Sequence, residues 1–130
     1  MSPEAQVLDT PMFCFQCEQT AGNTGCTKHG VCGKSADVAT LQDLLVQSTK
    51  CIAAWMRRAN ELGANDPEIG RFVAASLFMT LTNVDFDPER IAEQIREAVK
   101  VRDRAKALYE AAAKKAGREP EQVGVSCPQP

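Results

Sequence analysis

Residues 66–89 read DPEIGRFVAASLFMTLTNVDFDPE, so the tripeptide Asp-Pro-Glu both opens and closes this segment. Aspartate is a favoured helix N-cap, proline fits the first helical position, and glutamate is stabilised in the first turn by the helix dipole. The two tripeptides therefore predict helix starts after Asp66 and after Asp87. One helix before them, one between them and one after them would give three.

The spacing of apolar residues agrees with three helices. The first is predicted over residues 40–62, with Thr40 and Asp43 as a start resembling a capping box, Ser35 capping a short preceding turn, and Gly63 as the C-cap. The third is predicted to run towards Gly117. The predicted buried stripes are Leu41, Leu44, Leu45, Cys51, Ile52, Trp55, Ala59 and Leu62, then Ile69, Phe72, Val73, Ser76, Leu77, Thr80 and Leu81, then Ile91, Ile95, Val99, Leu108 and Tyr109.

No segment carries a strand pattern of any length, and helices joined by short loops pack antiparallel to their neighbours. We therefore predict an all-α fold, an antiparallel three-helix bundle preceded by a glycine-rich ligand loop. The predicted divisions are a flexible leader over 1–11, a cysteine loop over 12–34, the bundle over 35–117 and a polar tail without a core pattern over 118–130.

The cysteine loop holds four thiols with the spacing C-x2-C-x8-C-x5-C, interspersed with glycines and few core-forming residues. Such thiols are expected to bind metal, because glycines let the backbone fold back around a centre. The spacing permits a four-iron cubane, a two-iron rhomb or a zinc ion. It favours an iron–sulfur cluster first, zinc second and reduced spectator thiols last. The four candidate ligands are Cys14, Cys17, Cys26 and Cys32.

Other residues of the loop have candidate supporting roles. Lys28, His29 and Lys34 could stabilise a reduced anionic cluster, although for His29 we favour an exposed polar residue between ligands. Phe13 and Phe15 flank the first cysteine, and we expect them to shield the centre and anchor the loop on the bundle in the same packing.

Composition excludes several classes of function. The chain has 130 residues, the size of one ordinary domain, and its net charge of −2 offers no electrostatic footprint for nucleic acid or an anionic membrane. Neither a membrane span nor a secretory signal is evident, so we predict a cytoplasmic protein. Thiols stay reduced in that compartment, which favours metal or redox chemistry over structural disulfides.

Residues 12–34, MFCFQCEQTAGNTGCTKHGVCGK, resemble the amino terminus of the hybrid cluster protein family, also called prismane proteins or hydroxylamine reductases. The resemblance continues through residues 41–45 and more loosely to about Lys115. It implies that Cys14, Cys17, Cys26 and Cys32 hold the family's proximal cluster, which passes electrons to a hybrid iron–sulfur–oxo centre. The short spacing resembles that of members expected to carry a [4Fe-4S] cubane rather than a [2Fe-2S] cluster.

The chain also departs from that family. Family proteins are several times longer, and the ligands of their hybrid centre lie in later domains, whereas only one histidine exists here. We therefore predict an electron-transfer module that works with a redox protein or the missing catalytic domains, and we make no prediction of catalysis by this chain alone. A homodimer is compatible with such a bundle. One alternative is a structural module, or a sensor of oxygen or nitric oxide, that binds zinc or a labile cluster. Another is a fragment with no independent role.

Two cysteines lie outside the ligand motif. Cys51 is predicted to be a lone buried thiol that behaves as a small hydrophobe, and Cys127 to be an exposed thiol in the tail. Gln47, Ser48, Thr49 and Cys51 occupy a helix stretch expected to be apolar or glycine in longer relatives. We interpret the polar groups of this stretch as an exposed surface suited to a bundle that exists alone.

Overall fold

The computed structural model describes residues 12–127. Three helices account for most of this range: α1 over Ala36–Glu61, α2 over Pro67–Met79 and α3 over Pro88–Lys115, with a short 3-10 turn at Ala21–Asn23. The described residues contain no strand beyond one isolated bridge, so the all-α prediction is confirmed. The predicted leader and the last three residues of the predicted tail lie outside the described range. None of the three helices is long and apolar enough to cross a membrane.

The two Asp-Pro-Glu tripeptides start helices as predicted. The side chains of Asp66 and Asp87 accept hydrogen bonds from the backbone N–H groups of Glu68 and Glu89, at 3.1 and 3.0 Å. The prediction for α1 was wrong by four residues: it begins at Ala36, with the Ser35 hydroxyl accepting from the Val38 N–H at 3.2 Å. Nothing between Ser35 and Thr40 interrupts helical backbone, so the first available cap sets the start.

The helices run up, down and up. The first halves of α1 and α3 meet in a cluster of Val38, Leu45 and Ile91, and their second halves meet around Ile52 and Tyr109, so these two helices are parallel. Helix α2 is antiparallel to both, because Ile69 at its start lies in the second cluster while Met79 at its end packs against the first. This arrangement confirms the predicted antiparallel bundle.

The buried face of α3 is lined mainly by small residues. Ala98, Ala105 and Ala113 are almost fully buried, whereas Val99 and Leu108 of the predicted stripe are only partly buried. Alanines let the axes of α1 and α3 approach closely. The predicted buried stripe of α2 was also wrong in part, because Leu77 and Leu81 are exposed. Leu44 of the predicted α1 stripe is exposed as well, so a search for large apolar side chains misplaced part of all three helix faces.

Residues 118–127 do not form the polar tail that we predicted without a core pattern. They return along the bundle as a C-terminal strap, in which Val123, Val125 and Cys127 pack against the core cluster of α1 and α3. The backbone N–H of Glu121 donates to the Tyr109 hydroxyl at 2.9 Å. Burial alternates along the strap as it would along an extended strand, and that two-residue pattern was the missed signal.

A disulfide between Cys51 and Cys127 fixes the strap to α1. The predicted burial of Cys51 is confirmed, but the residue is not a lone thiol. The prediction of an exposed free thiol at Cys127 was wrong, because this residue is partly buried and disulfide-bonded. The interpretation of the neighbouring polar residues as an exposed surface was wrong too, because Ser48 and Thr49 are buried. The Gln47 amide donates to the Ser126 carbonyl at 2.7 Å, so this stretch of α1 receives the strap.

We predict that Cys127→Ser lowers the free energy of unfolding by about 2 to 4 kcal/mol, because the disulfide closes a loop of 76 residues in the unfolded chain. Urea denaturation followed by helical circular dichroism measures this loss. A phosphine reductant should bring the parent chain to the same stability and leave the variant unchanged. Equal stability of parent and variant without reductant would contradict a stabilising disulfide.

Candidate metal centre

The cysteine loop closes on itself through its own backbone. The N–H of Cys14 donates to the carbonyl of Cys26 at 2.9 Å, and the N–H of Cys26 donates to the carbonyl of Cys14 at 2.8 Å. This pair of hydrogen bonds forms the isolated antiparallel bridge and sets two candidate ligands side by side. Residues 12, 26 and 39 then pack together, which attaches the loop to the first half of α1.

All four predicted ligands line one cavity. Cys14, Cys17, Cys26 and Cys32 surround it together with Lys34, and Thr82 from the segment after α2 adds to its wall. None of the four is in a disulfide. Across residues 12–127, however, no group of three or more cysteine, histidine, aspartate or glutamate side chains is close enough to hold a single metal ion. The structure thus brings the thiols around a common space without closing them on one point.

Two glycines of the loop are required by close contacts. At Gly25, where φ is +118°, an added Cβ atom would lie 2.3 Å from the Phe13 ring. At Gly30 it would lie 2.9 Å from the Lys34 Cβ and 3.2 Å from the Cys32 sulfur. A larger residue at Gly30 would therefore displace Lys34 and Cys32 of the cavity wall, whereas one at Gly25 would push aside the exposed Phe13 ring and be strained by the positive φ.

Cys26 is the most buried candidate ligand, and its surroundings favour the thiolate. The pKa of the Cys26 thiol is lowered chiefly by the Ala21 backbone N–H, then by the Val31 N–H and the Thr20 hydroxyl, with a smaller effect of the Lys34 charge, and these outweigh desolvation. The Ala21 nitrogen lies 3.5 Å from the sulfur. Thiolate is the form of cysteine that binds metal, so this environment suits a ligand.

Of the three cationic candidates in the loop, only Lys34 reaches the centre. Its amine lies 3.6 Å from the Cys14 sulfur and 3.4 Å from the Gln16 side-chain oxygen, and the residue is only 3% exposed. Lys28 is exposed, and so is His29, as expected. The loop therefore contains one buried cation in contact with a candidate ligand.

Sequence reasoning missed Gln16, which joins the loop to the end of α2. Its side-chain N–H donates to the Thr80 carbonyl at 2.6 Å, and its oxygen accepts from the Thr82 hydroxyl at 3.1 Å. The same oxygen faces the Lys34 amine. In the sequence, only the position of Gln16 between Cys14 and Cys17 could have indicated this role.

The expectation that two phenylalanines shield the centre was wrong. Phe13 and Phe15 are 59% and 55% exposed, and neither belongs to a buried cluster of the bundle. Val31, beside Cys32, is 61% exposed. We refer to these three exposed apolar side chains of the cysteine loop as the apolar rim. The rim is available to another molecule.

The sequence matches the Prismane/CO dehydrogenase family over residues 12–125, and the chain belongs to this family. The predicted resemblance is thereby confirmed, and it concerns the amino-terminal module of the longer proteins. The matched range begins at the cysteine loop and ends within the strap. The matched residues therefore include the candidate metal centre and all three helices.

Proteins named hydroxylamine reductase are close relatives. The one from Halothermothrix orenii is 56% identical over 95 residues, which cover 73% of this chain and 17% of that protein. The one from Rhodospirillum rubrum is 50% identical over 101 residues, with 78% and 18% covered. The one from Geobacter metallireducens is 47% identical over 118 residues, with 91% and 20% covered. The chain spans about a fifth of the length of these relatives.

We predict that Gly30→Ala opens the cysteine loop locally, because the new methyl group would meet the side chains of Lys34 and Cys32. An overpacked contact of this kind costs about 1 to 3 kcal/mol. Amide hydrogen exchange should then be roughly tenfold faster or more at the bridging N–H groups of Cys14 and Cys26.

Gly70→Ala is the matched control, since an added Cβ on α2 meets nothing within 4 Å. It should leave exchange in the loop unchanged. Equal protection of the bridge in both variants would show that Gly30 does not hold the loop in shape.

Proposed function

We propose that this chain is a one-electron carrier that binds a [4Fe-4S] cluster through Cys14, Cys17, Cys26 and Cys32. One observation carries the proposal: the four free cysteines of the loop line a single cavity. Four thiolates are the usual donor set of such a cluster, each bound to a different iron, so the sulfurs need not converge on one ion. Membership in the prismane family supports the same reading.

The chain prepares the site in three ways. The bridge between Cys14 and Cys26 fixes the backbone that carries two of the ligands. The N–H of Ala21 and the hydroxyl of Thr20 lie within hydrogen-bonding distance of the Cys26 sulfur and favour its thiolate form. Gln16 keeps the loop on the end of α2. A bound cluster would supply a reversible one-electron couple, whose potential depends on these surrounding dipoles and charges.

The partner in electron transfer would be a redox protein or the catalytic part found in longer relatives. The apolar rim of Phe13, Phe15 and Val31 supports contact with such a partner, because these residues flank Cys14 and Cys32 in the chain and each is more than half exposed. We infer a cytoplasmic location, where the four loop thiols would stay reduced until loaded. The Cys51–Cys127 disulfide would persist there because Cys51 is fully buried in the core cluster and out of reach of reductants in the folded chain. Hydroxylamine reduction itself would need the ligands of a second centre, and the chain has a single histidine.

We predict about four irons and four sulfides per chain after anaerobic purification, with a visible absorption band that dithionite bleaches. Cys26→Ser should lose most of this iron and sulfide, because it removes the most buried ligand. Elemental analysis and sulfide determination on the same samples measure both.

Cys127→Ser is the control, since it removes a sulfur that lies in the strap and not in the loop. It should keep the full iron and sulfide content. One zinc per chain without sulfide would contradict the proposal and favour a structural metal module, in which the ion chiefly stabilises the loop.

A further inference from the structure

We propose that the buried ammonium group of Lys34 is the counter-charge of the metal centre and raises its reduction potential. The inference rests on the proposed function, because it assigns a residue that tunes the same site. Lys34 acts on the bound centre through its charge and does not itself bind iron.

The first argument is the absence of any other compensation for this charge among the described residues. Lys34 is 3% exposed, and within residues 12–127 no carboxylate oxygen lies within 4.0 Å of its amine. Its neighbours are the Cys14 sulfur, the Gln16 amide oxygen and the face of the Phe86 ring, whose centroid is 5.9 Å away. A buried ammonium is costly unless it faces negative charge. The cavity with the four thiols is where that charge would lie.

The second argument is that the ammonium group is held in place. The Lys34 carbonyl accepts from the Gly30 N–H at 2.8 Å, and the next residue, Ser35, caps α1. At the other end of the side chain, Gln16 orients its oxygen towards the amine while it is itself fixed by Thr80 and Thr82. The positive charge therefore stays beside Cys14 when the loop is closed.

The consequence for the potential follows from charge. Reduction adds one negative charge to the centre, and a fixed cation nearby stabilises the reduced state more than the oxidised state. Burial makes this interaction strong, since little solvent or salt screens it. The exposed Lys28 in the same loop should act far more weakly. The geometry thus distinguishes two lysines that sequence alone treats as equivalent.

The test is a redox titration of Lys34→Met in the anaerobically purified chain, followed by visible absorption. At a fixed solution potential, the ratio of reduced to oxidised centre should fall about tenfold, equivalent to about 59 mV for a one-electron couple. Lys28→Met is the matched control, and its ratio should change less than about twofold. Lys34→Arg keeps the charge and should titrate close to the parent chain.

Each of the remaining outcomes of this titration supports or overturns the inference about Lys34. If Lys34→Met loses its iron and sulfide while Lys34→Arg keeps them, the charge is required to hold the centre, which supports the inference. Loss in both variants would mean that only the shape of lysine matters, and would overturn it. A loaded Lys34→Met with the parent potential would overturn the inference and leave the proposed function intact. A parent chain without iron and sulfide would overturn both.

Discussion

The pair of backbone hydrogen bonds between Cys14 and Cys26 is the constraint on which the candidate centre depends. It closes the loop so that residues 20 and 21 reach the Cys26 sulfur while Lys34 reaches the Cys14 sulfur. Backbone hydrogen bonds form only where two segments of the chain approach closely, and Gly30 permits such an approach beside Lys34 and Cys32. The chemistry of the thiols therefore depends on backbone geometry as well as on side chains.

The bundle separates two kinds of cysteine. The cysteine loop attaches to the first half of α1 and to the end of α2, and its four thiols remain reduced. The strap lies against the cluster formed by the second halves of α1 and α3, where Cys51 and Cys127 form the disulfide. Because Cys51 and Cys127 lie in a different packing cluster, they do not pair with the four candidate ligands. The strap also provides a partner for Gln47 of α1, whose amide donates to the Ser126 carbonyl.

Much of the fold could be predicted from local chemistry. Asp66 and Asp87 cap their helices through contacts within two residues, so a short stretch of sequence suffices to find them. The disulfide joins residues 76 apart and no local pattern announces it. The spacing of the four thiols led us to expect them around a common centre, and they line one cavity. The burial of Lys34 beside Cys14, in contrast, depends on contacts of its amine with Phe86 and with Gln16. Such contacts between distant residues are what sequence reasoning could not supply.

The central claim is that the four thiols hold one iron–sulfur centre. X-ray absorption at the iron edge of the anaerobically purified chain tests it most directly, because the spectrum reports the atoms around each iron. The account predicts a first shell made only of sulfur, with other irons as the next neighbours. A first shell containing nitrogen or oxygen, or iron without an iron neighbour, would contradict it.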